Sequence, residues 1–428
     1  MRSLVKTIIV KVTVFILCFI EIPYFLLKNV GIFKNKIIYI FWERSFGHTI
    51  TGIDYASRLF YPNRISLVYI PHPRSNEYLP LCYEHNVDSF LFKSIFLPYS
   101  HIGGRIRYNI FFVILCIING LIKKFHIIER SNVYKTVSIA SDNLLLGDEN
   151  VGKLKKCIDL TGYYRLLKEN IGKKAKLPRL LDEQCKKIIV EKYSDIFNKP
   201  FVVLLLREKG RNSKGFEHYV RCSGPQENYI LAVKHLVENG FNVVGSGETN
   251  NSIFNSLNGY YSFKDIEIDD KLLNIFLLMN CKLFIGQHSG PYILSSSCNI
   301  HVLLCDVMPH WEGTFNSKDI ILFKNLVEKE TGKRLSLVDI YLRNQDIAYG
   351  YNFNKKKIAV EPNSAEEILE AVKETLNIMN NIDYLTTADK ILIEKFRKLP
   401  LPNMRLFYDG NRVPINILRE QKGELLSI

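Results

Sequence analysis

The sequence predicts an α/β protein of two domains, the second a doubly wound parallel sheet, behind an apolar N-terminal helix. Three observations carry this. The chain has 428 residues, long for one hydrophobic core. Short apolar runs alternate with amphipathic helical ones in two series, beginning near Lys36 and Phe201. The run from Val12 to Leu27 is apolar except for Glu21. The expected divisions are residues 1–33 for the helix, 34–190 for the first α/β domain and 191–378 for the second. Residues 379–428 would form a helix and a tail returning toward the first domain.

Composition narrows the class. Hydrophobic residues make up 47% and charged residues 23%, which excludes global disorder and a multispan membrane protein. The net charge of +14 reads equally as a solvated basic surface or as one that meets an anionic partner: nucleic acid, acidic lipid headgroups or a phosphorylated substrate. No helix-turn-helix, zinc-finger or aromatic-interleaved basic motif is present, so nucleic acid is not the expected partner. The nine cysteines form no CxxC pair and no zinc-like spacing. They read as buried thiols of a reducing compartment, which argues against a disulfide framework.

Along the chain, Val12–Leu27 is short for a bilayer span and is interrupted by Glu21 and Pro23. A helix lying on or dipping into the membrane is the favoured reading; a single span and a buried core helix are the alternatives. With the reducing compartment, this makes the expected chain cytoplasmic and peripheral or monotopic on a membrane. The apolar run Asn109–Phe125 reads as a core helix or a second interfacial contact. Lys36–Trp42 is a strand, and a helix follows with Ile50, Ile53 and Phe60 near one face. That leaves Phe46, Gly47 and His48 on the intervening loop. Ile65–Ile70 is the next strand, Leu79–His85 a short helix and Ser89–Phe92 a third strand. The lysine-rich segment 148–198 reads as helical, the far edge of the first domain plus a connector.

In the second series, Phe201–Leu206 is apolar throughout, as parallel strands buried on both faces are. Glu227–Phe241 is an amphipathic helix stopped by Gly240. "NVVGSG" is a strand ending in Gly245 and Gly247, "YYSF" a possible next strand, and Asp269–Asn280 a helix capped by Asp269 or Asp270. Ile300–Asp306 is the last clear strand. "EPNSAEEILEAVKETL" is a helix capped by Asn363 or Ser364, and "LTTADKILIEKFRKL" another.

The stretch "CKLFIGQHSGPYILSSSCN" (Cys281–Asn299) carries the chemistry. An apolar strand breaks at Gly286, His288, Ser289 and Gly290, and a helix starts with Pro291. In doubly wound sheets, ligands bind beyond the carboxyl ends of the strands, where helix N-termini offer unpaired N–H groups. Phosphate is the natural occupant. Glycine would allow close approach of an anion, Ser289 would add a donor, and His288 would donate from a ring nitrogen or line the sugar pocket. Any tight strand-to-helix turn also favours glycine and serine. Arg207, at the carboxyl end of the first strand of this unit, strengthens the anion reading, since a guanidinium grips a diphosphate bidentately. Arg221 on the following loop is a weaker candidate. "DIEIDD" (Asp265–Asp270) only superficially resembles a metal-binding set.

In order and spacing, these motifs resemble a family. Gly47-His48 after the first strand, Arg207-Glu208 after "VVLLL", "VRCSGPQENYILAVKHLVENGFNVVGSG", "DDKLLNIFLLMNCKLFIGQHSG" and "NSAEEILEAVKE" are similar to bacterial glycosyltransferases encoded with surface-polysaccharide (O-antigen or capsule) genes. These are distantly like protein O-fucosyltransferases. The family usually has Arg-Asn at Arg221-Cys222 and often an arginine at Gly245. The resemblance implies a GT-B fold: two Rossmann-like domains facing a cleft. It implies a nucleotide-sugar donor in the second domain and a glycan or lipid-linked glycan acceptor on the first. Arg207, Gly286, His288, Ser289 and Gly290 would hold the diphosphate, with Arg207 stabilising the leaving nucleotide. Arg221, Gly247, Lys264 and Asp265 would meet the base, ribose or sugar. Gly47, His48 and Glu43 would face the acceptor, with His48 as general base and Glu43 or Glu208 as weaker alternatives. An anionic membrane surface, the cytoplasmic side of the inner membrane, would be a further partner; the nucleotide-sugar is a substrate, and neither a cofactor nor a metal would be needed. A nucleotide-sugar epimerase of the same fold and a catalytically altered binding relative are the alternatives.

Overall fold

A computed structural model describes residues 2–29, 36–41, 46–70, 76–91, 110, 133–136, 172, 174–207, 221–246, 251–266, 270–308, 314, 316, 318–343, 357–399 and 412–428. The chain divides into two compact units, Met1–Pro178 and Arg179–Ile428. The second therefore begins before the expected boundary at 190. Helix Arg179–Lys192, read as edge and connector of the first domain, packs within the second unit instead.

The first unit opens with α1 (Arg2–Lys28). Then come β1 (Lys36–Phe41), α2 (Phe46–Leu59), β2 (Ile65–Ile70), a single 3-10 turn at Pro80–Tyr83, β3 (Val87–Leu91) and β4 (Val133–Thr136). All pairings are parallel, in the order β3-β2-β1-β4, with Ile38 beside Leu67 and Ile37 beside Val133. The apolar alternation placed β1 to β3 within two residues of their observed ends. Helix α2 starts earlier than expected. Phe46, Gly47 and His48 form its first turn rather than a loop. Ile50 and Ile53 are its fully buried anchors, and Arg58 pairs with Asp54 at 2.7 Å on the same buried face. Residues 109 and 111–125 lie outside the described residues.

The second unit runs α3 (Arg179–Lys192), α4 (Ser194–Phe197), β5 (Phe201–Leu205), α5 (Ile230–Glu238), β6 (Asn242–Ser246) and β7 (Tyr260–Ser262). It continues with α6 (Asp270–Asn280), β8 (Leu283–Gly286), α7 (Gly290–Ser297), β9 (His301–Val307) and β10 (Ile320–Phe323). The six strands are parallel in the order β10-β9-β8-β5-β6-β7. The chain winds outward from β5 to β7, then returns to place β8 on the other side of β5. Every residue of β5, β6 and β8 is buried, as a sheet covered on both faces requires. Strand β10 extends the sheet beyond the strand expected to be its last. Two further strands, β11 (Asn325–Glu328) and β12 (Ile358–Glu361), pair antiparallel.

The C-terminal helices are α8 (Ala365–Met379), α9 (Thr387–Arg397), α10 (Ile415–Glu420) and α11 (Lys422–Leu426). Ser364 and Glu367 form a capping box on α8, and Thr386 and Asp389 one on α9. The described part of the tail is residues 412–428. It lies in the second unit: Arg412 bridges to β10 beside Ile320 and pairs with the buried Glu374, and Arg419 holds Asp389 at 2.7 Å. Those two buried carboxylates, invisible in a pattern without period, anchor it there.

Candidate functional site

Both sheets reverse direction beside their first strand. In the second unit the reversal separates β5 from β8, and the carboxyl ends of such a pair are where open α/β sheets hold their ligands. Leu205 sits opposite Gly286 in the parallel register. Arg207 lies two residues past one strand end and Gln287 one residue past the other, so the two expected halves of the anion site are adjacent.

The contact that joins them is through the backbone. The Arg207 N–H donates to Gln287 Oε1 at 2.6 Å, and its carbonyl accepts from the Ser223 N–H at 2.9 Å and Ser223 Oγ at 3.2 Å. The peptide at Arg207 is thereby fixed on both sides. Gln287 is fully buried, and its Nε2 donates to the Tyr229 hydroxyl at 3.0 Å. That hydroxyl donates to Asp306 Oδ2 at 2.7 Å. Asp306 also accepts from the Gly224 N–H at 2.8 Å and the Asn363 N–H at 2.8 Å, and its own N–H donates to Asn363 Oδ1 at 2.6 Å. Asn363 closes the chain by donating to the Phe323 carbonyl at 2.7 Å. The network thus links the ends of β5, β8, β9 and β10. Burial, with the Asp306 charge adding to it, raises the Tyr229 pKa well above its ordinary value, so the phenol remains a donor. Asp306 adopts φ 53°, in the left-handed region that aspartate tolerates better than most residues.

Arg221 also reaches this mouth. Its Nη2 lies 3.2 Å from His288 Nδ1, and His288 Nε2 lies 2.9 Å from the Tyr292 hydroxyl. A guanidinium only donates, so Nδ1 accepts and the ring proton sits on Nε2. His288 is accordingly a bridge between Arg221 and Tyr292, with both nitrogens engaged, rather than a ready donor to a ligand. Ser289 occupies the N-cap position of α7 in extended geometry, but its side chain does not cap the helix. Its Oγ is buried with no hydrogen-bond partner among the described residues. Gly290 and Pro291 form the first turn.

Gly286 has a different reason from the one the sequence suggested. A Cβ there would lie 2.6 Å from the Leu205 carbonyl oxygen and 3.1 Å from the Phe284 ring. The glycine lets β8 close on β5; its requirement comes from strand packing. Lys264 and Asp265 lie on the 3-10 turn after β7. That is the same end of the sheet, but two strands from β5, roughly 10 Å away at the usual spacing. Lys264 is exposed. In the first unit, Gly47 and His48 follow β1, the strand beside that sheet's own reversal, an equivalent place to Arg207. Glu43, Glu208 and Gly247 lie outside the described residues. Among the described residues no cluster of three or more His, Cys, Asp or Glu side chains could hold a metal ion. The seven described cysteines form no disulfide with one another.

Sequence reasoning passed over Gln287, Tyr229, Asp306 and Asn363. The one signal for them was a carboxylate closing the otherwise apolar run "HVLLCD".

No protein-family model matches the chain, and no curated protein matches it in sequence. Among solved structures it is similar to the Escherichia coli ADP-heptose lipopolysaccharide heptosyltransferase II. The identity is 13% over 81% of this chain and 99% of that one, at a TM-score of 0.42. A family 9 glycosyl transferase from Veillonella parvula gives 12% identity over 81% and 98%, at 0.43. A putative UDP-N-acetylglucosamine 2-epimerase from Listeria monocytogenes gives 12% over 82% and 98%, at 0.35. Likeness at this level says nothing of substrate or reaction. The α/β character rests on the two parallel sheets described above.

Proposed function

We propose that the chain is a glycosyltransferase that takes a nucleotide-sugar donor at the β5–β8 crevice and transfers the sugar to a glycan or lipid-linked glycan acceptor. The observation that carries the reading is the convergence of Arg207, Arg221 with its His288 bridge, and the uncapped α7 N-terminus at one topological reversal. Guanidinium groups and a helix N-terminus attract a diphosphate, and they stabilise most strongly the charge that grows on it as the nucleotide leaves. That positive charge removes the need for a metal ion at the diphosphate. The Ser289 hydroxyl is a donor awaiting an acceptor in this place. Lys264 and Asp265 would meet the base or ribose. His48 would deprotonate the acceptor hydroxyl, a role suited to an imidazole at neutral pH.

The test is a thermal-shift screen of the chain against GDP, UDP, CMP and ADP and their sugars, since the nucleotide that binds raises the melting temperature by mass action. Arg207→Ala should weaken that binding by about 30- to 150-fold, as expected for loss of a charge-assisted bond of about 2–3 kcal/mol. The main-chain tether to Gln287 is kept in that variant, and its melting temperature without nucleotide reports its folding. Unchanged nucleotide affinity in that folded variant would rule the site out.

A further inference from the structure

Helix α1 spans 27 residues, and its two faces differ. Cys18, Glu21, Ile22 and Leu26 are buried. On the other side, Phe15, Ile16, Phe19, Ile20, Tyr24 and Leu27 are 50–77% exposed. Their spacing is i, i+1, i+4, i+5, i+9, i+12, a continuous stripe on a 3.6-residue helix. The rings of Phe15 and Phe19 meet edge-to-face at 5.2 Å at its N-terminal end. An exposed stripe of this kind is unusual for a surface that meets only water.

The charges on the helix are one-sided. It carries Arg2, Lys6, Lys11 and Lys28, and its one acidic residue, Glu21, is 2% exposed. With Lys28 exposed in the last turn and Glu21 buried, the described face of the helix is apolar and free of negative charge, on a chain of net charge +14. A second copy is a poor match, because the pairing would bring together two chains of +14 each. The area is also too small. Val12 to Leu27 covers about 22 Å of helix at 1.5 Å per residue, and a strip about 10 Å wide gives a footprint of roughly 220 Å². A stable dimer uses about 800 Å² per partner. No described helix is long and apolar enough to cross a membrane, and a helix with one side buried in its own protein has only the other to give to lipid.

We propose that α1 is an in-plane anchor, with the Phe15–Phe19 stripe inserted at the headgroup–acyl boundary of an anionic membrane and the helix axis parallel to the surface. Interfacial helices bind through this combination of buried apolar area and attraction to anionic lipid. The inference does not depend on the donor reading, and its tests do not use turnover.

The experiment is co-sedimentation of the full chain with vesicles of phosphatidylcholine containing 30% phosphatidylglycerol, and with phosphatidylcholine alone. The chain should bind the anionic vesicles at least ten-fold more tightly. Phe15→Ser/Phe19→Ser should lose at least ten-fold on the anionic vesicles while keeping its melting temperature, since both side chains already face outward. Ile20→Ser/Leu27→Ser serves as a second, independent pair. Equal binding by both double variants and the parent would overturn the proposal. So would a parent that is dimeric in solution and becomes monomeric in the variants. Orientation is read from protease digestion of membrane-bound chain tagged at each end. In-plane docking leaves both tags cleavable in the same intact vesicles, whereas protection of the N-terminal tag alone would show a span and refute the claim.

Discussion

Asp306 offers the sharpest test of how the crevice is held. Its carboxylate is 1% exposed and accepts three hydrogen bonds, from the Gly224 N–H, the Tyr229 hydroxyl and the Asn363 N–H. Asp306→Ala removes the acceptor for all three and leaves the donors in a site with no water shell. Each bond to a charged acceptor contributes about 1.5–3 kcal/mol net, and a stranded buried donor costs about 1–3 kcal/mol. Because the three share one carboxylate, their effects will not add fully, and a loss of about 4–6 kcal/mol is expected. That is a large part of the roughly 5–15 kcal/mol that holds a typical domain. Asp306→Asn is milder. It keeps one acceptor oxygen but turns an amide N–H₂ toward a donor, for a loss of about 2 kcal/mol. The assay is urea unfolding of both variants against the parent, followed by tryptophan or tyrosine fluorescence. A loss below about 1 kcal/mol in the alanine variant would refute the view that this network supports the ends of β5, β8 and β9.

Three further outcomes follow from the geometry. Gly286→Ala should cost about 1–3 kcal/mol and weaken nucleotide binding together, because backbone atoms 2.6 Å from the new methyl must move and they carry Arg207; full stability by urea unfolding would contradict this. Asp319 is fully buried, accepts the Val302 N–H at 2.9 Å, and burial pushes its pKa up to about 8. The folded state therefore holds a proton that the unfolded chain has released, and stability should fall as pH rises from about 4 to 8, at up to about 1.4 kcal/mol per pH unit. Asp319→Asn should flatten that slope in unfolding measured at several pH values, and an unchanged slope would assign the pH dependence elsewhere. Ser364→Ala should cost about 1 kcal/mol, since its hydroxyl accepts the Glu367 N–H at 3.1 Å within the α8 capping box; a calorimetric melting point within error of the parent would count against it.

Legibility in the sequence followed the range of the interactions. β5 could be read because all its side chains are apolar, and α8 because its cap and first-turn acids are consecutive in the chain. The pairing of Arg207 with the Gly286–Gly290 turn was also legible, because strand-end rules bring the two together without needing any contact to be known. β10 was missed: four apolar residues after a polar loop are too few for periodicity to separate from a turn. The Gln287–Tyr229–Asp306–Asn363 network was missed for a different reason. Its bonds join residues 57 to 77 positions apart, and no local pattern encodes them. Gly286 was noticed for the wrong cause, since a glycine needed by a neighbouring strand and one needed by an anion look the same in one dimension.

The way Arg207 is fastened has a consequence for how this crevice can change. Its position is set by its peptide N–H and carbonyl, which any residue but proline can supply in full. Those main-chain bonds would pass unchanged to lysine, glutamine or histidine at that position. If the proposed function holds, a related chain could therefore shift its preferred ligand by one substitution here and keep the tethers to Gln287 and Ser223.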